Sequence, residues 1–182
     1  MKIALVGKNG SGKSACCDYL KVKYQFKVLS LSDILRESLK ERQEKETRHH
    51  LMAMGNELKE KYGYEYLAKA SYEKVKHQDT SVVFDSIRHP LEVSFLKNQS
   101  VLLLAIKASQ ACRFQRIQDR NRQGDLFDFQ QFKEQEAMEA AGASQGQNLN
   151  ACEEACEFFI ENEGSLDDLK LKLDLFLDKV KI

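Results

Sequence analysis

The chain opens with Lys2-Ile3-Ala4-Leu5-Val6-Gly7-Lys8-Asn9-Gly10-Ser11-Gly12-Lys13-Ser14, an apolar run followed by the pattern Gly-x-x-x-x-Gly-Lys-Ser. The apolar run predicts a buried strand, and the glycines predict a tight turn that leads into a helix. Backbone N–H groups of such a turn form a cradle for phosphate oxygens, and the helix start adds its positive dipole end. Cys16, Leu20 and Tyr24 recur at helical spacing and predict the inner face of that helix.

The same pattern predicts roles for single residues. Lys13 would reach the terminal phosphates as a point charge, and the Ser14 hydroxyl would ligate Mg²⁺. The residues expected to contact the nucleotide phosphates are Gly7, Asn9, Gly10, Ser11, Gly12, Lys13, Ser14 and Ala15. The alternative is a glycine-rich surface turn with a chance lysine, and the predicted strand and helix on either side argue against it.

Composition bounds the class of protein. The 182 residues suggest one domain, with 31% charged and 42% hydrophobic residues and no formal net charge. A net charge of zero gives no indication of a nucleic-acid partner. No apolar run is long enough to span a bilayer or to act as a signal peptide. Five scattered cysteines predict free thiols in a reducing compartment. We therefore expect a cytoplasmic domain without a membrane or nucleic-acid partner, and its oligomeric state stays open.

Further apolar runs alternate with helical patterns along the chain. The runs occupy residues 26–29, 81–85, 101–106 and 158–160, and the stretch 140–150 between the last two helical patterns is predicted to be a loop. Five strands that alternate with helices predict an α/β fold, with a parallel sheet wrapped by helices on both faces.

Asp85 ends the third of these strands. A carboxylate at the C-terminal end of a buried parallel strand lies where ligands bind in open α/β sheets. There it would hold Mg²⁺ through water or orient the attacking group. The alternative is that Asp85 only caps the following turn, a common use of aspartate.

Arginines mark the helix predicted after the fourth strand. Its inner face is predicted to hold Ala111, Phe114 and Ile117, its other face Arg113, Arg116 and Arg120, and Arg122 comes after it. Such a cluster is either a solvated face or, beside a nucleotide site, a clamp that grips phosphates bidentately.

Two motifs resemble those of the P-loop nucleoside monophosphate kinases, whose fold the dephospho-CoA kinases share. The run Ser30-Leu31-Ser32-Asp33-Ile34-Leu35-Arg36 is similar to the adenylate-kinase pattern Ser-x-x-Asp-x-Leu-Arg. The run Asp85-Ser86-Ile87-Arg88 is similar to Asp-Gly-Phe-Pro-Arg, one residue shorter. The resemblance implies that Arg36 and Arg88 bind the phosphate of the acceptor, with Asp33 beside them.

Later motifs extend the likeness. Arg116-Ile117-Gln118-Asp119-Arg120 is similar to the lid pattern Arg-Ile-x-x-Arg, which implies that Arg116 lies against adenine and Arg120 on the transferred phosphate. Asn162 and Gly164 are implied as adenine contacts in the loop after the last strand. The run from Asp33 to Glu92 also resembles the kinase-like domains found alone or ahead of deoxycytidylate deaminases, and no deaminase zinc motif follows here.

The resemblance implies a P-loop NTPase fold over residues 1–182, with acceptor-binding helices at about 31–76 and a lid at about 113–150. The expected activity is ATP- and Mg²⁺-dependent phosphoryl transfer to a small phosphorylated acceptor in nucleotide metabolism, with a (deoxy)nucleoside monophosphate favoured. The expected catalytic residues are Lys13, Asp85, Arg88, Arg116 and Arg120, and the expected metal ligands are Ser14 and Asp85. Two alternatives remain: a dephospho-CoA kinase-like enzyme with Asp33 near an acceptor hydroxyl, and a regulatory ATPase without a small acceptor.

Overall fold

The computed structural model describes residues 1–120, 128–140 and 148–180. Five parallel strands form one sheet in the order β2-β3-β1-β4-β5. The strands are β1 Lys2–Val6, β2 Lys27–Ser30, β3 Val82–Asp85, β4 Leu102–Lys107 and β5 Phe158–Glu161. The helices are α1 Lys13–Tyr24, α2 Ser32–Glu41, α3 Arg48–Tyr62, α4 Tyr66–Glu73, α5 Pro90–Asn98, α6 Gln110–Arg120, α7 Phe129–Ala140, α8 Leu149–Glu154 and α9 Leu166–Val180. Within the described ranges, no helix is both long and apolar enough to cross a membrane.

The central strand β1 shows why the sheet is buried on both faces. Ile3 pairs with Val83 of β3 on one side and with Leu102 of β4 on the other. Successive side chains of a strand point to opposite faces. Ile3 accordingly packs in the cluster that includes α1 and α9, whereas Ala4 packs in the cluster that includes α2 to α5. The predicted five-stranded parallel α/β fold is confirmed.

Local signals set two of the helix starts. Pro90 opens α5, and Ser165 caps α9. The Ser165 hydroxyl accepts from the Asp168 N–H at 3.2 Å, and the Ser165 N–H donates to the Asp168 carboxylate at 2.9 Å. These reciprocal bonds satisfy N–H groups that a helix start otherwise leaves unpaired.

The predicted loop at 140–150 is only partly tested. Residues 141–147 lie outside the described ranges, but α8 begins at Leu149, so the end of this stretch is helical. Asn148 caps α8, because its side-chain oxygen accepts from the Ala151 N–H at 3.0 Å. Asparagine before an apolar residue is a recognised helix-start signal that could have marked this helix.

Candidate active site

The phosphate loop joins β1 to α1 in the conformation that its glycines require. Gly10 and Gly12 have φ angles of 78° and 107°, a left-handed region that side chains with a Cβ rarely adopt. A Cβ on Gly7 would lie 2.4 Å from the Ile106 carbonyl oxygen, so the loop starts in close contact with β4. Helix α1 then begins at Lys13, which places its N-terminus at the loop as the sequence predicts.

Lys13 is half-buried beneath this loop. Its ammonium donates to the carbonyl oxygens of Gly7 at 2.6 Å and Lys8 at 3.0 Å. Burial lowers the pKa of Lys13, the Asp85 carboxylate raises it and the Arg88 guanidinium lowers it. The pKa of the loop lysine is therefore sensitive to the charged groups at and after the end of β3.

Asp85 stands at the C-terminal end of β3 with one oxygen unused. Its Oδ1 is buried and has no hydrogen-bond partner in the described part of the chain, while Oδ2 accepts from the Ser86 hydroxyl at 3.4 Å. Turn capping would bring a backbone N–H to this carboxylate, and none of the described residues supplies one. A buried oxygen without a donor fits a cation or its bound water.

The donor chemistry suits Mg²⁺ held partly by a nucleotide. Ser14 is exposed at the start of α1, and together with Asp85 it offers the oxygen ligands that Mg²⁺ prefers. Among the described residues, no group of three or more His, Cys, Asp or Glu side chains could hold a metal ion. Magnesium bound through one or two protein oxygens plus phosphate oxygens needs no such group.

Hydroxyl groups line the ends of β2 and β3, and no sequence motif had marked them as a group. The Ser30 and Ser32 hydroxyl oxygens are 2.7 Å apart, and the Ser30 hydroxyl donates to that of Ser86 at 2.9 Å. Ser86 has a φ of 66°. Their position in the sequence could have indicated them, because ligands bind outside the carboxyl ends of parallel strands.

Arg36 and Asp33, both predicted to face the acceptor, contact each other. The Arg36 guanidinium lies 2.7 Å from the Asp33 carboxylate and 2.8 Å from that of Glu46. It also donates to the Ser32 hydroxyl at 3.1 Å. One guanidinium therefore faces two carboxylates, and the predicted phosphate contact of Arg36 stays a prediction.

The prediction that Arg113 lies on the outer face of its helix is wrong. Its side chain is buried, 3% exposed, and forms a two-pronged ion pair with Glu136 of α7. It also donates to the carbonyl oxygens of Ala108 at 2.9 Å and of Asn9 in the phosphate loop at 3.3 Å. Ala111, predicted on the inner face, is exposed instead.

The other two α6 arginines lie beside the phosphate loop. Arg116 donates to the Asn162 side-chain oxygen at 3.4 Å and to the Gly164 carbonyl oxygen at 3.2 Å. Arg120 donates to the Asn9 side-chain oxygen at 3.3 Å.

Asn162 ties this group to the loop, since its amide donates to the Ser11 carbonyl oxygen at 2.8 Å. The structure thus brings together Arg116, Asn162 and Gly164, which were implied to surround adenine. Arg122 lies outside the described residues, as do 121–127 and 141–147 of the expected lid.

Comparison with known proteins identifies relatives along the whole chain. A family model described as an AAA domain (AAA_17) matches residues 6–133. A UPF0200 protein of Methanocaldococcus jannaschii is 28% identical, over 98% of this chain and 89% of its own length. A UPF0200 protein of Methanococcus maripaludis is 31% identical, over 98% of this chain and 96% of its own.

Solved structures agree with the fold. The shikimate kinase of Acinetobacter baumannii in complex with shikimate superposes with a TM-score of 0.58 at 18% identity, covering 98% of this chain and 94% of its own. The shikimate kinase of Bacteroides thetaiotaomicron gives a TM-score of 0.61 at 13% identity, covering 98% of each chain. Identities this low establish the fold alone, which is the kinase-like P-loop fold. The AAA domain model matches more than half of this chain, and a UPF0200 relative is 31% identical over nearly all of it. This chain therefore belongs to the AAA domain family AAA_17 and to the UPF0200 proteins.

Proposed function

We propose that this protein transfers the terminal phosphoryl group of ATP, with Mg²⁺, to a small phosphorylated acceptor, and that a (deoxy)nucleoside monophosphate is the favoured acceptor. The observation that carries the proposal is the placement of two groups at the ends of neighbouring strands. The phosphate loop with Lys13 follows β1, and Asp85, whose buried Oδ1 has no partner in the described part of the chain, ends β3 shortly before Arg88. A protein that only bound nucleotide would not need a second basic group there.

The donor half of the site rests on the phosphate loop. Backbone N–H groups from Gly7 to Ser14 would hold the phosphates, and Lys13 would exchange its two loop carbonyls for phosphate oxygens. Bound by Ser14 and Asp85, Mg²⁺ would neutralise phosphate charge and align the transferred group. Arg116 and Asn162 would flank the adenine.

The acceptor half lies at the ends of β2 and β3. Arg88, Arg36 and Asp33 would hold the acceptor there, and Arg120 would reach the transferred group from the Asn9 side. Phosphoryl transfer requires little covalent help from protein, so catalysis would come from positioning and from balancing negative charge.

A hydroxyl acceptor without its own phosphate is the second candidate, and one observation favours it. Asp85 keeps a buried oxygen without a partner in the described part of the chain, as a carboxylate that takes the proton of an attacking hydroxyl would. The structural neighbours named for shikimate also point to such acceptors. Asp33, the residue first expected in this role, is already paired with Arg36.

Calorimetric titration with Mg–ATP tests the donor site. Lys13→Ala is expected to weaken nucleotide binding strongly and to abolish turnover. Lys21→Ala, an exposed lysine two turns later in α1, is the matched control and should behave as wild type. Equal ATP affinity in Lys13→Ala and wild type would overturn the assignment.

A further inference from the structure

Two carbonyl groups of the phosphate loop are held by side chains from outside the loop. The Asn9 carbonyl oxygen accepts from the Arg113 guanidinium at 3.3 Å, and the Ser11 carbonyl oxygen accepts from the Asn162 side-chain amide at 2.8 Å. Arg113 is 3% exposed and Asn162 is 4% exposed. Both donors therefore reach the loop from buried positions, where water does not compete for the two carbonyl oxygens.

The same two residues fill the space beside the glycines that come next in the loop. A Cβ on Gly10 would lie 2.6 Å from the Arg113 carbonyl oxygen and 3.0 Å from the Arg113 Cβ. A Cβ on Gly12 would lie 2.4 Å from the amide nitrogen of Asn162. Each outside residue thus contacts one whole peptide group of the loop, from the carbonyl oxygen to the glycine after it.

These contacts fix the direction of two backbone N–H groups. A trans peptide bond carries its C=O and its N–H on opposite sides, and the described part of the chain contains no cis peptide bond. The bond from Arg113 to the Asn9 carbonyl therefore turns the Gly10 N–H away from Arg113. The second outside bond does the same for the Gly12 N–H. Successive N–H groups beside left-handed residues form concave anion sites, so these two N–H groups suit phosphate oxygens.

Both outside residues are themselves anchored. The backbone N–H of Asn162 donates to the Lys107 carbonyl oxygen, at the end of β4, at 2.7 Å. The Arg113 guanidinium donates to the Ala108 carbonyl oxygen at 2.9 Å and is paired with the Glu136 carboxylate. Because Glu136 balances its charge, Arg113 offers the loop a fixed hydrogen-bond donor and little free positive charge.

We propose that Arg113 and Asn162 are positioning residues that aim the Gly10 and Gly12 N–H groups at the phosphate oxygens of the bound nucleotide. The inference rests on the proposed function, because it concerns the donor half of the same site. In that function Lys13 exchanges its loop carbonyls for phosphate oxygens. The two outside bonds are the ones that keep the loop in shape before and after binding, and Asn162 acts on the phosphates in addition to its place beside adenine.

The test uses inorganic tripolyphosphate with Mg²⁺, because this ligand has no base. In ¹H–¹⁵N spectra of protein labelled on glycine, the Gly10 and Gly12 N–H signals of wild type should move downfield as charge-assisted bonds to phosphate form. Arg113→Met/Glu136→Leu, which removes both charges together, should lose the Gly10 shift and keep the Gly12 shift. Asn162→Ala should do the reverse. Each variant should bind tripolyphosphate about 10-fold more weakly in calorimetry, the size expected for one charge-assisted hydrogen bond.

A matched control removes an ion pair that lies away from the loop. Lys97 and Glu157 form an exposed pair between α5 and the residue before β5, with 3.1 Å between the ammonium and the carboxylate. Lys97→Met/Glu157→Leu should bind tripolyphosphate within about 2-fold of wild type and show both glycine shifts. Circular dichroism shows that each variant is folded before it is titrated.

Three results would overturn the inference. The first is that both glycine signals move as in wild type in the two loop variants. The second is that each variant loses both shifts together, which would show general loosening of the loop. The third is that Asn162→Ala weakens binding of Mg–ATP but not of tripolyphosphate, which would leave it an adenine contact alone. In all three cases wild type still binds Mg–ATP and the proposed function stands, whereas failure of wild type to bind Mg–ATP refutes the proposed function itself.

Discussion

Replacing Glu136 by alanine is expected to lower the free energy of unfolding by about 3–5 kcal/mol, because the change leaves a buried guanidinium without its counter-charge. Arg113 is 3% exposed, and its Nη2 donates to the Glu136 carboxylate at 2.8 Å. The Glu136 side chain is itself only 12% exposed. Both members of the pair are therefore buried, and removal of one partner from a buried ion pair strongly lowers stability.

The remaining bonds of Arg113 place the effect near the lower end of that range. Its guanidinium keeps the carbonyl oxygens of Ala108 at 2.9 Å and Asn9 at 3.3 Å after Glu136 is gone. A loss of about 3 kcal/mol corresponds to a Tm lower by about 6–12 °C in a domain of this size.

Urea denaturation followed by circular dichroism measures the loss. Glu134→Ala, an exposed residue of the same helix, should change stability by less than about 0.5 kcal/mol. The double variant Arg113→Met/Glu136→Leu should be more stable than Glu136→Ala, because it removes both charges together. The reasoning is refuted if the free energy of unfolding of Glu136→Ala is within about 0.5 kcal/mol of wild type. It is also refuted if the double variant loses as much stability as Arg113→Met and Glu136→Leu lose when added together.

The same pair has a pH signature. Burial by itself raises the pKa of Glu136, but Arg113 outweighs burial and holds that pKa below its ordinary value of 4.5. The unfolded chain then takes up the proton first as the pH falls. The stabilisation by the pair is therefore complete above about pH 4.5 and is lost at lower pH, and Glu136→Ala should lack this loss.

Three smaller predictions concern the loop and the helix caps. Asn162→Ala leaves the Ser11 carbonyl oxygen unpaired and should cost about 1–3 kcal/mol of unfolding free energy, measured by urea denaturation, and no loss would contradict the role. Gly10→Ala should lower the free energy of unfolding by at least about 1–2 kcal/mol and weaken Mg–ATP binding in calorimetry. The reasons are the φ of 78° at Gly10 and the added Cβ, which would lie 2.6 Å from a carbonyl oxygen. Gly55→Ala, whose Cβ would have no contact under 3.6 Å, is the control and should be tolerated. Burial lowers the pKa of His89, the cap of α5, below 6.5, so the free energy of unfolding should fall as the pH drops below about 6.5. Asparagine also caps helices but does not titrate. His89→Asn should therefore show a smaller change of unfolding free energy with pH when denaturation is measured at several pH values.

Local sequence predicted the phosphate loop because every requirement of the loop is local. The apolar run of β1, the glycines at positive φ and the lysine at the start of α1 are consecutive in sequence. The pairing of Asp33 with Arg36 is also local, since residues three apart meet on a helix surface. Its third member, Glu46, comes from beyond the end of α2 and has no comparable signal.

The residues that sequence reasoning misplaced depend on contacts between distant segments. The helical pattern predicts Arg113 on the outer face of α6, but its partner Glu136 lies on another helix, 23 residues away.

Transfer of the labelled γ-phosphate of ATP decides whether this protein is a phosphotransferase. The protein is incubated with Mg²⁺, γ-labelled ATP and a panel of nucleoside monophosphates, deoxynucleoside monophosphates and hydroxylated acceptors, with Lys13→Ala in parallel. We expect at least one acceptor to become labelled by wild type faster than inorganic phosphate is released, and none by the variant. Release of inorganic phosphate alone, with no labelled acceptor, would show an ATPase instead of a kinase and contradict the proposal.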